Sequence, residues 1–312
     1  MLIAVQADPI NLLKPVSDTT LLITFELQKR GNKLFFYTPD NLSLNNGVVK
    51  ARGNHITLRD HPTDFYKKHA KKTINLSTAD IVFVRQDPPF NMNYITSTYF
   101  LDLLPDSTKV LNNPSVIRNN PEKLIVNHFA KYTLPTLVSK DKSEFEVFVK
   151  KHKQVIVKPL YDYGGHDVEL IDSPIKFKKL MPQYLSKNEF FIMQKFVPSV
   201  RKDGDKRVIF CNGKILCTLG RMAAKGKVVT NLAAGGKAIQ STLTTSEKKM
   251  CMDIAKKLKK MDIFLAGADI VGGELLEINI TSPTGIKACN ALDSKNYEKL
   301  VANEMEKITY QK

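Results

Sequence analysis

The chain has 312 residues, with 47 lysines and arginines against 31 aspartates and glutamates, a formal charge of +16. That length can bury two or three packed lobes. No apolar run reaches the roughly 18 residues that span a bilayer, and the start MLIAVQADPI has neither the basic segment nor the cleavage site of a signal peptide. A cytoplasmic protein with no membrane partner is therefore expected. Lysine outnumbers arginine several-fold and lies opposite Met250, Ile254 and Leu258 in SEKKMCMDIAKKLKKM, the pattern of a solvated helix face. With no Arg-rich cluster or stacking aromatics, no nucleic-acid partner is expected, and the positive field suits anionic small molecules. Cysteines 211, 217, 251 and 289 form no CxxC pair, so neither a zinc site nor a disulfide framework is expected.

LIAVQ reads as a first strand ending at Asp8-Pro9, followed by a helix capped at Ser17 or Asp18 and closed at Gly31, then KLFFYT as a second strand. This βαβ start lacks the GxGxxG turn of a dinucleotide site. ADIVFVR is a further strand running into QDPPF, which places Arg85 and Asp87 either in a ligand crevice at a strand's carboxyl end or in an ordinary turn made by Pro88-Pro89. In RNNPEKLIVNHFAKY, Asn120 and Pro121 predict a helix start. Lys123 would then sit in the first turn, where it either meets a phosphate or is offset by Glu122.

QVIVKPLYDYGGHDVELI reads as two strands around a paired-glycine loop, with Lys158 at the end of the first. Such a loop lets backbone N–H groups approach phosphate, although a plain hairpin would look the same and the Walker pattern is missing. After a helix around IKFKKLMPQYL, the strand EFFIMQKFVP leads into DGDKRVIFCNGKILCTLGR. There Asn212-Gly213 predicts a type I′ hairpin pairing residues 207–211 with 214–218, flanked by Arg207 and Arg221. The Ala- and Gly-rich segment MAAKGKVVTNLAAGGKA has no periodicity and reads as a functional lid.

GADIVGGELLEINITSPTG reads as two short strands. A two-residue turn with strict alternation would set Asp269 opposite Leu276 and bury an unpaired carboxylate. A three-residue turn, Gly272-Gly273-Glu274, pairs Asp269 with Glu277 and puts Asp269, Glu277 and Asn279 on one face. Oxygen-only ligands of this kind point to Mg2+, the alternative being a solvated acidic sheet face.

The order of these parts resembles the ATP-grasp superfamily. The blocks RQDPPF, DGDKRV, NLAAGG and EINITSPT are similar to those of the prokaryotic glutathione synthetase family. The resemblance implies an α/β fold, a Rossmann-like (pre-ATP-grasp) N-terminal domain followed by a two-lobed α+β ATP-grasp module. Its divisions would be residues 1–120, 121–198 and 199–312, with a mobile loop at 222–237. It implies ATP as co-substrate and Mg2+, or Mn2+, as metal. Lys123 and Lys158 would hold phosphates under the loop Tyr163-Gly164-Gly165. Gln194, Lys195, Phe196 and Val197 would give backbone contacts to adenine, with Lys195 and Asp205 near the ribose. Glu277, Asn279 and Asp269 would bind the metal, and Arg207 and Arg221 the transferred phosphoryl group and the oxyanion. Arg85, Asp87, Asn231, Gly235, Gly236 and Ser282 would meet the substrates, γ-glutamylcysteine and glycine.

The resemblance further implies a homo-oligomer, tetramer or dimer; the same phosphate and metal residues would also serve an ATP-grasp ligase with another amine acceptor. Three places depart from the family pattern. The lid reads KVVTNLAAGG without a basic residue before Asn231, for which Lys225 or Lys227 would have to substitute; IKACNAL after SPTG lacks an acidic residue; and Lys195 replaces a shorter polar one. On this reading Arg207→Ala lowers turnover by about 10²- to 10³-fold with stability nearly unchanged.

Overall fold

The computed structural model describes residues 1–161, 167–224, 229–232 and 235–310. The first strand, β1 (Leu2–Gln6), is followed by α1 (Thr19–Lys29), whose cap is Asp18, its side chain accepting from Leu21 N at 2.7 Å. Gly31, at φ +84°, reverses the chain into β2 (Lys33–Tyr37). Then come β3 (Leu42–Asn45), β4 (Val48–Leu58), β5 (Tyr66–Asn75), β6 (Ile81–Val84), α2 (Met92–Leu101), β7 (Lys109–Leu111) and α3 (Pro114–Asn119). The strands form one sheet in the order β3-β4-β2-β1-β6-β7, with β5 paired to β4. β1 is parallel to β2 and β6, and β6 to β7. The carboxyl ends of β1 and β6 therefore point the same way, toward Asp8 and Arg85.

One helix start expected from the sequence is displaced. α3 begins seven residues earlier than the Asn120-Pro121 signal, at Asn113-Pro114, where the Asn113 side chain accepts from Ser115 N at 3.0 Å and Val116 N at 3.2 Å. Asn120 instead closes that helix, its Nδ2 donating back to Val116 O at 2.9 Å. Residues 122–124 make a turn, and a 3-10 stretch, Ile125–Tyr132, follows. The same Asn-Pro signature occurs twice, and the first copy takes the helix.

β8 (Thr136–Ser139), α4 (Lys142–His152), β9 (Val155–Pro159), β10 (Glu169–Ile171), α5 (Pro174–Leu185) and β11 (Phe191–Lys195) build a second sheet, ordered β10-β9-β11-β8. The short α6 (Val200–Asp203) leads to β12 (Asp205–Cys211), β13 (Lys214–Met222), β14 (Lys237–Ile239), α7 (Thr245–Lys260), β15 (Leu265–Val271), β16 (Glu274–Asn279), α8 (Ile286–Asp293) and α9 (Tyr297–Tyr310). The third sheet runs β14-β13-β12-β15-β16. Asn212 and Gly213, at φ +46° and +76°, make the expected β12–β13 hairpin, with a register shift between Ile209 and Phe210.

Two apolar clusters tie the first and third sheets together. Ala4, Phe35 and Val82 pack with Val208, Met250 and Ile270, and Ile3, Leu27 and Phe83 pack with Ile209, Leu219 and Val301. The second sheet has its own cluster around Phe145, Val157 and Phe191. The segment leading into β8 touches the third sheet through a bridge between Thr133 and Leu275, and the space between the second and third sheets becomes the site. Among the described residues no helix is long and apolar enough to cross a membrane.

Candidate active site

The β15–β16 hairpin corrects the sequence reading of its turn while keeping the pairing that reading required. Gly272 and Gly273, at φ +56° and +82°, form a two-residue turn, so that Val271 faces Glu274 and Ile270 faces Leu275. The register then shifts, leaving Leu276 as the extra residue of a bulge, and Asp269 faces Glu277. The bulge does the work assigned to a longer turn. Leu275 goes into the core with Ile270, Ile278 and Ile280, and Leu276 turns toward a cavity of about 690 Å³ that Asp269, Glu277 and Asn279 also line.

On the third sheet, alternation and register set four charged side chains side by side. Arg207 is the cross-strand partner of Asp269, and Asp205 of Arg221. Arg207 Nε and Nη2 donate to Asp269 Oδ1 and Oδ2 at 2.8 and 2.7 Å. Arg221 Nε and Nη2 donate to Asp205 Oδ1 and Oδ2 at 2.8 and 2.5 Å, Arg221 Nη2 also reaches Asp269 Oδ2 at 2.9 Å, and Thr230 Oγ1 donates to Asp205 Oδ2 at 2.6 Å. All four charged residues are at least nine-tenths buried and line the cavity. Burial opposes the Asp269 charge, but the two guanidiniums outweigh it and hold the carboxyl well below the usual range. Asp205 moves the other way: burial raises it despite Arg221. Asp205 thus lines the cavity with both oxygens already accepting from Arg221 and one of them also from Thr230. The Nη1 atom of each arginine has no protein partner among the described residues.

Opposite this cluster, Lys158 at the end of β9 reaches Glu277 Oε2 at 3.3 Å. Asn279 donates from Nδ2 to Gly267 O at a long 3.5 Å, and its Oδ1 has no protein donor among the described residues. Glu277 and Asn279 thus offer the oxygen ligands that a hard divalent cation prefers. Asp269 does not stand equally free, since both its oxygens accept from guanidiniums. Among the described residues no three His, Cys, Asp or Glu side chains form a metal-binding group.

The remaining expected residues divide between those that meet at the cavity and those that do not. Lys123 lines it and donates from Nζ to Leu160 O at 3.1 Å. Gln194, Lys195, Phe196 and Val197 line it as well, but the N–H groups of Lys195 and Phe196 already donate to Pro135 O and Gln154 O, each at 3.0 Å, so these two backbone contacts are satisfied within the protein. Asp87, Asn231 and Ser282 also line it; burial pushes the Asp87 carboxyl up, against a hydrogen bond from Ser282. Arg85 is buried behind that wall, donating from Nε to Thr20 Oγ1 at 3.0 Å and from Nη2 to Pro283 O at 2.9 Å. Gly235 and Gly236 turn inward, donating to Leu232 O and Asn231 O at 3.1 Å, and do not line the cavity. Tyr163, Gly164, Gly165, Lys225 and Lys227 lie outside the described residues, as do parts of the loop expected at 222–237.

One residue the sequence reading used only as a counter-charge is central here. Glu122 Oε1 accepts from Ile280 N at 2.7 Å, Thr281 N at 2.8 Å and Thr281 Oγ1 at 2.7 Å. Burial raises its carboxyl, although the Thr281 and Ile280 bonds counter that. No local pattern announces such a contact, because its partners lie 158 and 159 residues away.

Residues 1–118 match the family described as prokaryotic glutathione synthetase, N-terminal domain, and residues 122–294 match its ATP-grasp domain. The chain belongs to the prokaryotic glutathione synthetase family. It is 38% identical over 288 residues to the glutathione synthetase of Bradyrhizobium diazoefficiens, covering 92% of this chain and 91% of that one. With the Brucella melitensis glutathione synthetase it shares 38% over 306 residues, 97% of this chain and 98% of the other. The fold is that of ATP-grasp enzymes. The D-cycloserine synthetase DcsG superposes with a TM-score of 0.65 at 14% identity, covering 97% of this chain and 99% of the other. The ATP-grasp ligase PsnB, solved with its minimal precursor, Mg and ADP, superposes with a TM-score of 0.63 at 13% identity, covering 99% and 98%. As a family member the chain is an ATP-dependent ligase that uses ATP with a divalent metal.

Proposed function

We propose that the chain joins the cysteinyl carboxylate of γ-glutamylcysteine to the amine of glycine, converting ATP to ADP and phosphate. The observation that carries this is the cavity between the second and third sheets, where Lys123 and Lys158 stand on one side and Arg207 and Arg221 on the other, with the family match identifying the substrates. A carboxylate does not condense with an amine at neutral pH. Its oxygen therefore attacks the γ-phosphorus of ATP, the bond to the β–γ bridging oxygen breaks and ADP leaves. The glycine amine then adds to the acyl phosphate carbon, loses a proton, and expels phosphate as the amide forms.

The residues contribute alignment and charge. Lys123 and Lys158 hold the phosphates, and Ile156, Leu276 and the segment from Gln194 to Val197 flank the base. Arg207 and Arg221, fixed by Asp269 and Asp205, direct their remaining Nη1 groups at charge developing on the phosphoryl and acyl oxygens. Glu277 and Asn279 would hold Mg2+, with Asp269 behind them; bound there, the ion would neutralise phosphate charge. Asp87, Asn231 and Ser282 meet the amino-acid substrates. The division into residues 1–120, 121–198 and 199–312 is supported by one sheet in each. Mg2+ as the metal belongs to this proposal on the oxygen donors of Glu277 and Asn279 and on the family resemblance, a cytoplasmic location on the sequence reading, and a homo-oligomeric state on the family resemblance alone.

The test is phosphate release from purified protein given ATP, Mg2+ and γ-glutamylcysteine, with and without glycine, followed by the product mass. Glycine-dependent release with the mass of glutathione is expected. Release only with another amine would transfer the same mechanism to a different acceptor.

A further inference from the structure

The loop after β16, residues 280–285, is held from behind by three side chains of the N-terminal half. Asn112, directly after β7, accepts on Oδ1 from Phe264 N and Leu265 N at 2.8 Å and donates from Nδ2 to Leu265 O at 2.7 Å and Ile280 O at 2.6 Å. Arg85 holds the Pro283 carbonyl at 2.9 Å. Glu122 takes the two backbone N–H groups and the hydroxyl at Ile280 and Thr281 on a single oxygen. The front of the same loop, Thr281 to Thr284, lines the cavity, with Ser282 hydrogen-bonded to Asp87. Without Glu122, two backbone donors and a hydroxyl lose their partner where the sheet ladder has ended, and the start of the loop keeps only the Asn112 bond to the Ile280 carbonyl.

We propose that Glu122 is the positioning residue of the amino-acid end of the cavity, setting the loop 280–285 so that Ser282 to Thr284 receive the amino-acid substrates while the adjacent Lys123 faces the phosphates. The inference rests on the ligase reading above. Glu122 acts through the geometry of one acceptor oxygen rather than through its charge. A glutamine, whose amide oxygen can accept the same three bonds, should therefore replace it.

The experiment measures KM for ATP, γ-glutamylcysteine and glycine in the wild type and in Glu122→Ala, Glu122→Gln and Thr281→Val. Amide hydrogen exchange across residues 280–285 is followed in each. Glu122→Ala should raise KM for γ-glutamylcysteine or glycine about tenfold or more with KM for ATP within about threefold, and Glu122→Gln should return the value to within about threefold of wild type. Thr281→Val, which removes one of the three bonds, should fall between them; it also decides the matter, together with Glu122→Gln, if the alanine variant does not fold. Equal impairment in the glutamine and alanine variants would overturn the inference, as would parallel rises in KM for ATP and the amino acids. If the wild type does not accept this substrate pair, the functional reading fails and hydrogen exchange alone decides the inference. Loss of protection at Ile280 and Thr281 in Glu122→Ala but not in Glu122→Gln supports it, and unchanged protection in Glu122→Ala overturns it.

Discussion

Arg207, Arg221, Asp205 and Asp269 lie buried on β12, β13 and β15, with every carboxylate oxygen bonded to a guanidinium. Beside them on β16, Glu277 meets Lys158 of β9 at 3.3 Å, and Asn279 makes only a long 3.5 Å bond to the Gly267 carbonyl. The carboxylates of the first cluster are fully paired within the protein, so the geometry of its two arginines is fixed before substrate arrives, as stabilisation of a developing charge requires. The second is incomplete, and it is the one that suits phosphates and a cation. A substitution in the first should therefore disturb folding and catalysis together, whereas one in the second should disturb ligand binding alone.

The largest effect is expected from Arg207→Ala, a fall in turnover of about 10²- to 10³-fold. The sequence reading attached no stability loss to this change, and the structure corrects that. Removing one partner of a buried ion pair costs about 3–5 kcal/mol when the other is stranded; Arg221 still bonds Asp269, so about 1–3 kcal/mol is expected by denaturant unfolding. Unchanged stability would mean the cluster is looser than its distances imply.

Lys158→Ala should lower turnover by roughly 10²-fold but destabilise the ligand-free protein less than Arg207→Ala does, because the partner left behind, Glu277, keeps access to solvent. In wild type, saturating ATP with Mg2+ should raise the melting temperature, by about 2.7 kcal/mol of added stability at a hundred times Kd, and the variant should lose most of that rise. A variant that melts early without ligand yet keeps the rise would reverse the assignment of the two clusters.

Asp205→Asn separates two roles for one residue. If Asp205 fixes Arg221, kcat should fall about tenfold with KM for ATP nearly unchanged; a contact to the ribose would instead raise KM for ATP and leave kcat.

The smallest effect is a control outside the cavity. Glu247 caps α7 and pairs with Lys206 at 2.7 Å. Burial opposes its charge, but Lys206 and the Thr244 bonds prevail and lower its carboxyl in the folded state. A lowered folded value stabilises above the unfolded carboxylate range, near ~4.3, and that stability is lost as pH falls through the folded value. Glu247→Ala should thus cost about 1 kcal/mol at pH 7, progressively less below pH 4, with turnover unaffected.

Much of the site was legible because strand alternation is local. Asp269 facing Glu277, and Arg207 and Arg221 flanking the Asn212-Gly213 turn, follow from period-two patterning and turn chemistry, and the structure keeps both. The route was not legible in detail. A bulge at Leu276 achieves the pairing that a longer turn was invoked for, and a bulge has no composition signal of its own. Arg85 and Glu122 show the other limit. Their partners, Pro283 and Thr281, lie far along the chain, so one residue was expected at the substrate and the other dismissed as a counter-charge, although both hold the loop that forms the cavity wall. The displaced helix start has a plainer cause, since two identical Asn-Pro signals compete within seven residues and propensity does not rank them.

The central claim, transfer of the γ-phosphoryl group to the cysteinyl carboxylate inside this cavity, is tested most directly by isotope transfer. Wild-type protein is given ATP, Mg2+, glycine and γ-glutamylcysteine carrying ¹⁸O in its cysteinyl carboxylate, and the released phosphate is weighed by mass spectrometry. The account predicts one ¹⁸O atom in the phosphate for each amide formed; phosphate without the label would contradict an acyl phosphate route.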